Sequence, residues 1–250
     1  MTILEAVAIA AAGFGAGVIN TVVGSGTLLT FPVLLGFGYA PVTANVSNTI
    51  GLVPGGVSGT YGYRAELAGR GRRAVSMALA SIAGALLGAT LLLTLPASAF
   101  AKVVPYLIGA ALVLILVQPW LSARLEARRR ATGFHGGRWT PAALFAIGVY
   151  GGYFGAAQGI LLLGVLSLGL TDTLQRINAL KNVLATGTNL AAAVIFAIAG
   201  PVNWGVAALI AGGSLFGGHV GARVARVLPP WALKTAIVLV GTAAIVKLSV

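Results

Sequence analysis

The chain has 250 residues, 58% of them hydrophobic and only 8% charged, with 36 glycines and no cysteine. An ordinary soluble domain carries about 25% charged residues, so the composition excludes both a water-soluble globule and a solvated, disordered chain. The net charge of +12 reflects 16 basic residues against four acids, not a basic stripe that would grip a nucleic acid.

What remains is an all-α polytopic membrane protein. Crossing about 30 Å of hydrocarbon takes about 20 apolar residues as a helix. In chain order the candidate spans are 3–23, 41–63, 74–95, 103–121, a shorter 140–156, then 174–199, 204–222 and 231–248. Two apolar pieces, 27–39 and 159–170, are too short to span comfortably. Each follows a glycine-rich break, Gly24-Ser25-Gly26 or Gly155-Ala156-Ala157-Gln158-Gly159. The start, Met1 to Glu5, lacks a basic region, so the first apolar stretch is expected to stay in the chain. The longest polar connection runs from about Ser122 to Trp139.

The arginines gather in three places. Arg64, Arg70, Arg72 and Arg73 form one group, Arg124, Arg128, Arg129, Arg130 and Arg138 a second, and Arg223 and Arg226 with Lys234 a third. The turns at Pro96 and Gly200-Pro201 are nearly uncharged. The positive-inside rule puts the basic groups in the cytoplasm and the neutral turns outside. Trp120, Trp139, Trp204 and Trp231 fall at predicted helix ends, where aromatic belts sit.

An internal repeat is the strongest signal. At an offset of 133 residues, Gly15 meets Gly148, Gly26 meets Gly159, Asn45 meets Asn178, Ser81 meets Ser214, and Leu95-Pro96 meet Leu228-Pro229. The expected units are a first repeat over 1–121, a basic cytoplasmic linker over 122–138 and a second repeat over 139–250. Placing all three basic groups inside forces an odd number of crossings per repeat. The second repeat is then upside down relative to the first, and broken or re-entrant helices from both meet at a midplane site.

Polar residues inside apolar spans are costly and usually face the bundle interior. The expected substrate-binding set is Gly24, Ser25, Gly26, Asn45 and Asn48 from the first repeat, with Gln158, Gly159, Asn178, Lys181 and Asn182 from the second. Asn45 and Asn48 share a helix face by spacing, as do Asn178, Lys181 and Asn182. Helices starting at Gly26 and Gly159 would aim amides and a positive dipole end at an anion. Lys181 would attract that anion; its alternatives are snorkelling to the interface or pairing with Asp172. The competing account of the amides is helix–helix adhesion, at about 0.6 kcal/mol per contact. His219, on a glycine-rich face, is expected to be packed and hydrogen-bonded.

The segments GSGTLLTFPVLLGFGYAPVTANVSNT, GAAQGILLLGVLSLGL and GGSLFGGHVGARVARVLPPWALK resemble the TauE/SafE family of sulfite-exporter-like membrane proteins. The resemblance covers nearly the whole chain. Two departures are the short first glycine run and Gln158 in place of a small residue. The resemblance implies export of a sulfur-containing anion, sulfite or an organosulfonate, from a cell (inner) membrane.

The four acids, Glu5, Glu66, Glu126 and Asp172, lie at helix ends or in loops, which leaves no carboxylate relay at mid-membrane. No enzyme motif is present: there is no HExxH and no nucleophile set. No cofactor or metal is implied. The expected partners are a small anionic substrate and the lipid bilayer. Uptake of a similar anion by the same fold, or a non-transporting membrane assembly role, are the alternatives.

Overall fold

The computed structural model describes residues 1–69, 71–132, 139–170, 172–224 and 242. Apart from residue 242, the expected span 231–248, with Trp231 and Lys234, lies outside the described residues, as do Arg138 and His135. Among the described residues the secondary structure is entirely helical.

Local signals set most helix ends. α1 (Ile3–Val22) opens with a capping box, in which the Thr2 amide donates to Glu5 Oε2 at 2.8 Å and the Glu5 amide to Thr2 Oγ1 at 3.2 Å. Gly24, at φ +88, ends it, and α2 (Thr27–Gly36) follows with Pro32 inside. α3 (Pro41–Gly62) starts on a proline, which lacks the N–H that the first turn would leave unpaired. α4 spans Gly71–Thr94. Pro96 then breaks the chain before α5 (Ala97–Thr132). α6 (Trp139–Tyr153) ends in the second break, and α7 (Gln158–Gly169) follows Ala157, whose φ is +58. Gly24 and Ala157, 133 residues apart, are both left-handed. α8 (Leu174–Ala199) is capped by Thr173, and α9 (Trp204–Val224) by the Asn203 side chain, which accepts from the Val206 amide at 3.1 Å.

α1, most of α4, the first part of α5, α8 and α9 form five candidate membrane spans by length and hydropathy. Only a third to less than half of each span's apolar window is buried against protein. Leu79, Leu87, Tyr106, Leu116, Val194, Ile198 and Phe216 are among the large apolar side chains left on the outside. Helices apolar on every face suit lipid, whereas water-soluble monomers rarely expose such area. α3 is long enough to cross but is too polar to count among the five, because Asn45, Ser47, Asn48 and Thr49 are buried in it.

The two halves interlock. α9 packs on α1 and α3, whereas α4 packs on α6 and α8. α4, from the first half of the chain, thus covers helices of the second half, and α9, from the second half, covers helices of the first. Small residues make both seams tight. Gly213 and Gly217 of α9 lie against the Ala10 and Phe14 carbonyls, and Gly84 and Gly88 of α4 against those of Phe145 and Val149. The matched serines fall in these seams: Ser214 donates to the Gly51 carbonyl at 2.7 Å, and Ser81 bonds Thr188 at 2.9 Å.

Several boundaries differ from expectation: α2 and α6 each end three residues early, and α5 begins at Ala97 rather than 103 and stays helical to Thr132, some ten residues into the segment read as a polar connection. That stretch is rich in Ala, Leu, Arg and Glu, strong helix formers that continue a helix beyond the bilayer.

Candidate functional site

The two glycine breaks touch. The Gly159 amide donates to the Gly24 carbonyl at 2.9 Å, and neither residue has room for a Cβ. Gly24 needs its positive φ as well. The ring of Phe31, from α2, meets that of Phe154, in the second break, edge to face at 5.2 Å. The broken helices therefore cross backbone to backbone, with an aromatic contact beside them.

This crossing corrects one expectation. The Gly26 amide is taken by Asn20 Oδ1 at 3.3 Å, and the Gly159 amide by Gly24. Those two N–H groups are therefore not free to receive an anion.

The asparagines reach across halves. Asn45, on α3, donates to the Tyr153 carbonyl at the end of α6, at 3.0 Å. Its counterpart Asn178, on α8, donates to the Thr21 carbonyl at the end of α1 at 3.4 Å, and to the Tyr63 hydroxyl at 2.9 Å. Asn182 also donates to Thr21 O, at 3.3 Å. Tyr63 was not expected here, because it closes α3 and reads as an interfacial residue.

Lys181 is fully buried. Its Nζ donates to the Asn20 and Thr21 carbonyls, both at 3.1 Å. It neither snorkels nor pairs with Asp172, which instead sits 4.0 Å from Arg176. The ammonium lies against the C-terminal carbonyls of α1, the negative end of that helix dipole. Among the described residues its partners are carbonyls, not carboxylates. Two of the acids, Glu66 and Asp172, line a pocket with Arg176 near the ends of α3 and α8.

Asn48 is occupied locally. Its Nδ2 donates to Thr27 Oγ1 at 3.3 Å, and its Oδ1 accepts from Thr30 Oγ1. It ties α2 to α3. Thr30 went unnoticed in the sequence, although it lies one turn beyond Thr27 and shares its face. Thr186 similarly bonds Thr60 at 3.2 Å. His219 is exposed on the outer face of α9, which corrects the packed position expected for it.

Four buried polar atoms in or near the two breaks have no hydrogen-bond partner among the described residues: Ser25 Oγ, Gln158 Nε2, Asn45 Oδ1 and Asn178 Oδ1. They form two pairs at the repeat offset, Ser25 with Gln158 and Asn45 with Asn178. Gln118 and Thr140 carry one such atom each elsewhere.

Comparison with known proteins follows the same line. The profile of the family described as "Sulfite exporter TauE/SafE" matches residues 9–248. The chain belongs to this family. A probable membrane transporter protein, ORF9, of a Sinorhizobium species is 29% identical over 238 residues, covering 95% of this chain and 89% of that one. A probable membrane transporter protein of Haemophilus influenzae is 28% identical, covering 85% and 82%. The probable membrane transporter protein YfcA of Escherichia coli is 26% identical, covering 84% and 76%. No solved structure matches the chain. The protein is a multi-pass membrane transporter.

Proposed function

We propose that this transporter exports a small sulfur-containing anion across the cell membrane by alternating access, with its two halves inverted and rocking about the crossed breaks. The observation that carries this reading is the buried Lys181 beside the crossing. A buried ammonium without a carboxylate is expensive, by several kcal/mol even after relaxation. The α1 carbonyls offset part of that cost. An arriving anion neutralises the rest, which favours anions over cations at this point.

The unpartnered Ser25 and Gln158 atoms, one in each break, supply polar lining beside the crossing. The Gly24–Gly159 contact supports a hinge, because backbones this close can pivot with little side-chain interference. With the acids at helix ends, the driving force falls to the anion's own charge. A potential negative inside favours exit by about 2.3 kcal/mol per charge per 100 mV.

Reconstitution tests the reading. Proteoliposomes loaded with sulfite are expected to release it faster than protein-free vesicles, and Lys181→Ala at equal insertion is expected to abolish the difference. Equal release with and without protein would point to the assembly role instead.

A further inference from the structure

Asn45 and Asn178 lie at opposite ends of α3 and α8. Asn45 is one turn into α3, and the next residues, Val46 and Ser47, lie against the turn at 200–203, read as external: Ser47 Oγ accepts the Asn203 amide at 2.9 Å. Asn178 is one turn into α8 and reaches Tyr63, which closes α3 at its other end. Its second partner, Thr21, packs on Gly59, 14 residues beyond Asn45, or about 20 Å of helix. Both asparagines join the same two bodies. α1 and α3 pack with α9, and α6 and α8 pack with α4. Asn45 ties α3 to the end of α6, and Asn178 ties α8 to the end of α1.

These amides differ from a static tie. In Asn48 both amide atoms are paired, by Thr27 and Thr30. In Asn45 and Asn178, each more than nine-tenths buried, the nitrogen is paired but Oδ1 has no partner among the described residues. A buried acceptor left unpaired carries its full desolvation penalty. Closing each contact strands that oxygen, and parting the bundles to admit water satisfies it. We infer that Asn45 and Asn178 are positioning residues, the outer and inner gates of the transporter, which open in alternation as the two bundles rock. This rests on the alternating-access reading above and names its gates; neither asparagine is then a ligand of the anion. The bodies that rock are spatial, each holding helices of both repeats, and they meet along α3 and α8. Both gates are closed in this structure. Ser25 lies between them: four residues earlier Thr21 meets Gly59, and two residues later Thr27 meets Asn48. The inner gate is the firmer, because Lys181 and Asn182 hold the same Thr21 carbonyl.

Ser25→Cys, in a chain without native cysteine, reports which gate is open. Its labelling by an impermeant maleimide is measured from each side of sealed vesicles, without substrate and relative to inserted protein. In that background Asn45→Ala is expected to speed labelling from outside at least about fivefold, the equivalent of one hydrogen bond. Asn178→Ala is expected to speed labelling from the cytoplasmic side, and by less, because Lys181 and Asn182 still hold Thr21. Two milder changes keep the assignment testable if either alanine variant fails to fold: Asn45→Ser is expected to follow Asn45→Ala, and Tyr63→Phe to follow Asn178→Ala. Labelling that speeds up equally from both sides, or shows no sided change in any variant, would overturn the gates and leave both asparagines as structural ties. Sulfite flux of the unsubstituted protein, measured in parallel, keeps the two readings apart. Flux with no sided labelling overturns the gates and leaves export standing, whereas absence of protein-dependent flux overturns export whatever the labelling shows.

Discussion

Gly24 and Gly159 lie 135 residues apart in sequence and share a backbone hydrogen bond of 2.9 Å. Each occupies the space that a methyl group on the other would need. Gly24→Ala meets two obstacles, the collision and about 1–2 kcal/mol of left-handed backbone strain; Gly159→Ala meets the collision alone. Both are expected to lower the Tm of detergent-solubilised protein, Gly24→Ala by more. Ala157→Gly, at the matching left-handed position, is expected to leave it nearly unchanged. Equal Tm for wild type and Gly24→Ala would refute the tight crossing.

Lys181 separates stability from function. Replacing a buried charge by an apolar group of similar volume is often neutral or stabilising. Lys181→Met is therefore expected to keep or raise the Tm while reducing anion flux at least about tenfold, the equivalent of 1.4 kcal/mol. Loss of Tm with flux per folded molecule unchanged would make Lys181 a structural cap on α1 and nothing more.

Asn48 has the opposite profile. Both ends of its amide are occupied by Thr27 and Thr30. Asn48→Leu is expected to cost about 1–3 kcal/mol of stability by stranding those hydroxyls, with the KM for the anion unchanged. A raised KM at normal stability would return Asn48 to the binding set.

The absence of native cysteine makes topology directly measurable. For inverted halves, Ala68→Cys and Arg124→Cys are expected to react with an impermeant maleimide only from the cytoplasmic side, and Ser98→Cys and Pro201→Cys only from outside. Labelling of Ala68→Cys and Pro201→Cys, which lie one repeat offset apart, from the same side would contradict the inversion.

Much of this arrangement was legible in the residues. The bounds of α1, α3, α7 and α8 fall within about a residue of the hydropathy reading, because glycine breaks, Pro41 and Gly200-Pro201 punctuate apolar runs. The constant offset pointed to matching breaks, and the breaks do meet. It could not show that the contact uses Gly24 with Gly159, since a single offset aligns positions without registering one break on the other. The run of α5 to Thr132 was hidden because hydropathy reports where lipid ends, not where a helix ends. Lys181 was recognisable as an anomaly by depth, but its carbonyl partners were not, because a helix end accepts hydrogen bonds without any side-chain signature. Tyr63 and Thr30 were missed because hydroxyls at a helix end and in a short apolar piece look ordinary until the opposing amides are in place.

The central claim is that one negative charge travels through a site built on Lys181 and the crossed breaks. Its most direct measurement is the steady-state distribution of sulfite across proteoliposomes under an imposed potassium diffusion potential. With the interior at −100 mV, the ratio is expected to shift outward by about fiftyfold relative to zero potential, and Lys181→Met is expected to slow the approach to that ratio. A distribution that stays the same at every imposed potential, in vesicles whose protein demonstrably moves sulfite, would contradict the account.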